Sequence, residues 1–188
     1  LAADQLKSDD YRDTWIASIE QPLANIYTRQ GEYDKSIALL HFVIHAAMVQ
    51  NDPEMASGAY SDLGIVYSDL GDFEKSTEAY TLGEAAAKRA SSVSDLLLNK
   101  LNKAELLINL LRFVEAKGEL ALIRQSINLL ENRQQEYQLE YLKLLAQLYS
   151  DSGNHSEALK ILKECRILIS QMSNPDAYKR ESAKFYYQ

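Results

Sequence analysis

Tyr60-x-x-Leu63-Gly64-x-x-Tyr67-x-x-x-Gly71-x-Phe73-x-x-Ser76-x-x-x-Tyr80-x-x-Gly83 is the stretch that decides how the chain reads. Apolar or small residues recur three and four apart as far as Tyr67, which places them on one face of a helix. Asp69-Leu70-Gly71-Asp72 breaks that pattern, and Gly71 can take the positive φ needed just past a helix end. A second three-and-four pattern runs from Phe73 through Ser76 and Tyr80 to Gly83. Gly64 and Gly83 leave room for two backbones to approach, with Tyr60, Tyr67 and Tyr80 filling the space beside them. The stretch predicts a helix–turn–helix hairpin.

The pattern recurs along the chain. One copy reads Leu23-Ala24-x-x-Tyr27-x-x-x-Gly31-x-Tyr33-x-x-Ser36-x-x-x-Leu40-x-x-Val43. Another has Ala104-x-x-Leu107, then Phe113-x-x-Ala116-x-x-x-Leu120-x-x-Ile123. The last reads Leu142-x-x-Leu145-Ala146-x-x-Tyr149-x-x-x-Gly153-x-His155-x-x-Ala158-x-x-x-Leu162-x-x-Cys165. Turn positions 31, 71, 111 and 153 are separated by 40, 40 and 42 residues, and Pro53 and Pro175 each follow a turn glycine by 22.

These copies resemble the tetratricopeptide repeat, whose signature is an aromatic-x-x-Leu-Gly-x-x-Tyr first helix and a small-x-x-x-aromatic second helix. Ser76 stands where Ala is usual and Tyr80 where Phe is usual. The third copy departs further, with Leu111 at its turn and Lys103 in the Leu slot. The period exceeds the usual ~34 residues, which makes this a long-period variant with longer helices. The resemblance implies an all-α fold: a right-handed α-solenoid of about four hairpins. They span approximately 14–50, 54–90, 94–131 and 134–171, and a C-terminal capping helix at 176–188 makes 1–188 a single domain. Solenoids need such a cap because an end repeat otherwise exposes its core face.

Composition agrees with long helices, since Gly and Pro together number 10 in 188 residues. A net charge of -7 and a pI near 5.0 argue against nucleic acid or an anionic membrane as the main partner. No apolar run reaches the ~18 residues a bilayer span needs. The single cysteine, Cys165, occupies a slot for a small apolar residue and reads as a buried core thiol. The chain starts at Leu1 without a signal pattern, as a piece of a longer protein would, so cytoplasm and periplasm both stay open.

Residues 1–8 are polar and read as a fraying end, with Asp9 and Asp10 placed to cap the first helix. Pro22 removes a backbone donor and predicts a kink or a restart. The helix Asp34–Gln50 is apolar around most of its circumference. That predicts burial on more than one side, against the N-terminal segment, or a self-association face built on Leu39, Phe42 and Val49.

No catalytic constellation stands out. His41 and His45 share the i, i+4 spacing of a metal pair but lack a third ligand, and His155 fills an aromatic slot, where it is expected to pack as a ring. Carboxylates such as Glu115 and Glu119 lie on helix faces. No metal site, cofactor or active site is expected.

What remains is a surface. In the resembled family the first helix of each hairpin lines the concave side, where ligands lie. Those slots hold Gln21, Asn25 and Thr28 in repeat one, and Ser61, Ile65 and Ser68 in repeat two. Repeat three offers Leu98, Leu101, Glu105 and Ile108; repeat four offers Lys143 and Gln147. The family's chaperone-tail binders clamp a terminal carboxylate with Lys, Arg and Asn. Here Asn25 matches one slot, while Gln21, Ser61 and Leu101 replace expected cations. Ile65, Leu98, Leu101 and Ile108 predict an apolar strip between polar ends at Asn25 and Gln147. The reading is a non-enzymatic protein- or peptide-binding module, the sensory or regulatory region of a larger protein like those of bacterial signalling. Alternatives are a small-ligand or signalling-peptide sensor and an oligomerisation scaffold, here a homodimer.

Overall fold

The computed structural model describes residues 2–130 and 132–172. The helix expected at 176–188 lies outside the described residues. Every described element is a helix: α1 (Ala2–Arg29), α2 (Tyr33–Val49), α3 (Pro53–Asp69), α4 (Phe73–Ala90), α5 (Val93–Asn109), α6 (Phe113–Ile127), α7 (Gln134–Asp151) and α8 (His155–Gln171). The fold is an all-α helical-hairpin repeat of the tetratricopeptide type. Helix α1 runs unbroken from Ala2 through Pro22, so it neither starts at Asp9–Asp10 nor restarts at the proline.

The turns set the architecture. Positive φ occurs at Gly31, Asn51, Gly71, Ser91, Leu111, Arg133 and Gly153, positions separated by 20, 20, 20, 20, 22 and 20 residues. At six of them the next residue's N–H donates to the carbonyl five back, as in Glu32 to Tyr27 (2.9 Å), Ser92 to Ala87 (3.0 Å) and Asn154 to Tyr149 (2.7 Å). This is the Schellman ending, which satisfies orphan carbonyls by reversing one residue into the left-handed region. The residue after the reversal often caps the next helix: Asp52 accepts from Met55 N–H (3.0 Å), Asp72 from Lys75 (3.3 Å) and Asn154 from Glu157 (3.4 Å). Seventeen-residue helices such as α2 and α3, joined by three-residue turns, give the 20-residue beat. The six-residue link 128–133 after the 15-residue α6 supplies the one interval of 22.

Two compact units divide the chain, Leu1–Asn99 and Lys100–Gln188, with the boundary inside α5. In the first, Leu40, Val43 and Ile44 of α2 share a core cluster with Ala17 and Ala24 of α1 and Ala59, Leu63 and Val66 of α3. Helix α2 touches both α1 and α3, which accounts for its wide apolar arc. Of its proposed self-association residues, Leu39 packs against this core, whereas Phe42 and Val49 are exposed. The close approach at Gly64 is real: a Cβ there would lie 2.4 Å from the Tyr80 ring. Buried Ser76 donates to the Gly64 carbonyl (2.8 Å). In hairpin one, Ser36 meets Thr28 (2.8 Å), whose hydroxyl donates to the equivalent Ala24 carbonyl (3.0 Å).

A buried polar pin joins α3, α4 and α5. Asn99 donates to Ser57 Oγ (3.1 Å) and to the Asp95 carbonyl (2.9 Å), and Ser57 Oγ donates to the Gly83 carbonyl (2.9 Å). A Cβ on Gly83 would stand 2.0 Å from Asn99 Oδ1, so glycine is what lets these helices close.

In the second unit the ill-fitting third copy explains itself. Lys100 and Lys103 reach across to Glu119 on α6 at 3.1 and 3.0 Å, an ion triad where the motif asks for apolar contact. Burial works against the Glu119 charge, but the Lys103 and Lys100 ammoniums outweigh it and hold its carboxyl below the ordinary value. Cys165 is buried as expected, and burial pushes its thiol up. His155 does not pack as a ring; it is exposed at the start of α8.

Leu111 is the test of the turn account. It is a large, exposed residue held at φ +58. The left-handed region costs an L-residue roughly 1–2 kcal/mol, and glycine's extra chain entropy returns roughly 0.5–1. Leu111→Gly should therefore stabilise the protein by about 0.5–1 kcal/mol in urea unfolding; a loss of stability would contradict the left-handed turn.

Candidate partner-binding faces

The slots that the register assigned to a partner divide between exposed and buried positions. In the first unit, α1 supplies Gln21 and Asn25, and α3 supplies a residue the sequence reading passed over, Asp62. Gln21 Nε2 and Asn25 Nδ2 donate to the same Asp62 oxygen, at 2.8 and 3.3 Å. A Cβ on Gly58 would come within 3.2 Å of Gln21 Nε2, so the lack of a side chain there frees Gln21 to reach Asp62. Burial pushes the Asp62 carboxyl up to about 6, against the two amide hydrogen bonds that favour its charge. At neutral pH Asp62 is therefore ionised at a cost, in a place that disfavours anions. Ile65 and Ser68 are half-buried nearby along α3, and Ser61 is buried. Thr28 is committed to Ser36 and the Ala24 carbonyl.

In the second unit, α5 and α7 make a polar face. Gln147 Nε2 donates to Asn109 Oδ1 (3.1 Å), and Lys143 pairs with Glu140 one turn before it (3.0 Å). Glu105 has an exposed side chain, yet the protein around its carboxyl raises its pKa, and the nearby negative charge of Glu140 adds to this while Lys143 opposes it. The apolar strip is not a surface in this structure. Leu101 is 7% exposed and Ile108 0%, while Leu98 is half-buried in the first unit. Helix α5 buries a wider arc than the register rule assumed: Leu97, Lys100, Leu101, Ala104, Leu107 and Ile108, spaced three and four apart, all turn inward.

Neither face resembles a carboxylate clamp. Asn25 already serves a carboxylate, and Lys143 is neutralised by Glu140. His41 and His45 are exposed on α2, and no group of three or more potential metal ligands occurs among the described residues. No helix among the described residues is long and apolar enough to cross a membrane.

Residues 23–54, which run from the second half of α1 through α2 to the start of α3, match the family model of the tetratricopeptide repeat. The chain carries a tetratricopeptide repeat. No curated protein and no solved structure matches it. The repeat marks the chain as a protein–protein interaction module, since its hairpins stack to present a surface.

The Asp62 cluster has a measurable pH signature. Its folded pKa is raised, so between pH 4 and 6 the folded state holds a proton that the unfolded chain has released. Its contribution to stability therefore grows as pH falls from 7 towards 4, and is lost as pH rises through about 6. Asp62→Asn keeps an oxygen for Gln21 and Asn25 without the charge. It should stabilise the protein by up to about 3 kcal/mol at pH 7, with the gain vanishing near pH 4 in thermal melts. A variant less stable than the parent at pH 7 would contradict the assignment.

Proposed function

We propose that the chain is a non-enzymatic binding module whose protein or peptide partner presents cationic or hydrogen-bond-donating side chains to the first-helix faces. The observation that supports this is Asp62, an ionised carboxylate held by two amides in a setting that disfavours its charge. A lysine or arginine brought beside it offsets that cost, whereas a carboxylate would add to it. Gln21, Asn25, Asp62, Ile65 and Ser68 are the contact residues proposed in the first unit; Glu105, Lys143 and Gln147 are those in the second. The acidic net charge of -7 favours encounter with a basic segment. The resemblance to long-period repeats suggests that the module, taken as one domain over 1–188, serves as the sensory or regulatory region of a larger protein, of the kind found in bacterial signalling.

Selection from a random-sequence displayed peptide library with the whole chain as bait tests the reading. Enriched peptides should carry Lys or Arg in excess of Asp and Glu. Asp62→Asn, which keeps the fold, should weaken an enriched basic peptide by about tenfold, equivalent to about 1.4 kcal/mol. Enrichment of acidic or free-carboxylate peptides, or affinities indifferent to both Asp62→Asn and Glu105→Gln, would contradict it.

A further inference from the structure

One side of α1 carries Trp15, Ile19 and Ile26, which are 73, 66 and 49% exposed. Their spacing puts them in a single stripe along the helix. Counted back from each turn residue, they stand where hairpin two has Met55, Ala59 and Val66, and where hairpin four has Tyr137, Tyr141 and Leu148. In both later hairpins this stripe is a stacking face. Ala59 and Val66 are buried in one cluster with Leu40, Val43 and Ile44 of α2, with Met55 packed against it. Tyr137, Tyr141 and Leu148 are buried in α7, which touches α6. Burial raises the Tyr141 phenol, and the nearby Arg124 guanidinium of α6 acts against that rise.

The helix that covers such a stripe also has a register. In α2 it presents Leu40, Ile44 and Ala47; in α6 the same positions are Leu120, Arg124 and Ile127. All but Arg124 are buried. In α8 the matching residues are Leu162, Arg166 and Ile169, and here Leu162 is 47% and Ile169 40% exposed. The stripe on α1 and the face on α8 are thus the two halves of the interface already used between α2 and α3 and between α6 and α7.

We propose that the protein associates with a second copy of itself head to tail, the α8 face of one copy covering the α1 stripe of the next. The charge pattern fits the same register. Arg124 of α6 stands near enough to Tyr141 of α7 to act on its phenol, and Arg166 holds the equivalent place on α8. Such a contact is heterologous: each copy added leaves a fresh stripe and a fresh face, so association continues beyond a dimer. It uses neither the Asp62 face nor the Glu105 face and stands independently of the partner proposed for them.

Sedimentation velocity of the whole chain from low to high micromolar concentration is the test. The parent should shift to larger species without stopping at dimer. Trp15→Glu and Leu162→Glu alter exposed side chains and should each give monomers that melt like the parent at low concentration; Ile19→Lys is the second variant for the stripe. Mixed in equal amounts, Trp15→Glu and Leu162→Glu should form a dimer and nothing larger, because each supplies the half the other lacks. A parent that stays monomeric overturns the proposal, as does a mixture that stays monomeric or a single variant that still assembles. A parent that assembles only after deletion of 176–188 overturns it too, since the α8 face would then belong to that segment.

Discussion

The reversal of one residue into the left-handed region at the end of each helix is the constraint on which the other features depend. It terminates the backbone hydrogen-bond ladder without leaving its carbonyls bare, and it hands the chain directly to the residue that caps the next helix. Because the reversals fall 20 residues apart, with one interval of 22, equivalent side chains return to equivalent places. Gln21 and Asn25 face Asp62 for that reason, and Met55, Ala59 and Val66 face α2 for the same reason.

Within this frame the hairpins solve their interior packing in different ways. Hairpin two fits the Tyr80 ring onto Gly64 and ties Ser76 to the same backbone. Hairpin three places Lys100 and Lys103 around Glu119. A half-buried ion triad adds little net stability over apolar packing but penalises any arrangement that separates its members. The Asn99 pin acts similarly where α3, α4 and α5 meet: a buried amide tolerates few alternatives when its donors are fixed to Ser57 and Asp95.

Much of this architecture was legible because glycine announces the left-handed turn at positions 31, 71 and 153. The break at 111 was read from the register, but the left-handed conformation at Asn51, Ser91, Leu111 and Arg133 was not, since those residue types do not demand positive φ. Lys103 looked like a defect because its compensating partner, Glu119, lies on the other helix of the hairpin. The candidate site was read less well. Gln21 and Asn25 bond Asp62 of the next first helix and Gln147 bonds Asn109, whereas Lys143 pairs with Glu140 on its own helix. Asp62 was missed because its position holds Pro22, Asn102 and Leu144 in the other hairpins, so no repeat pattern singles it out. Leu101 and Ile108 were assigned outward on a rule about register, and burial of a wide arc of α5 turned them inward.

The partner proposed for the first-helix faces is best read at the group whose ionisation it would change. That group is the Asp62 carboxylate. Carbon-13 NMR of the side-chain carboxyls, titrated with and without a lysine-rich peptide bound, measures its ionisation directly. The structure predicts a midpoint near 6 for free Asp62, falling clearly when the basic peptide is bound. A midpoint near the ordinary aspartate value of about 3.9, unmoved by the peptide, would contradict the account.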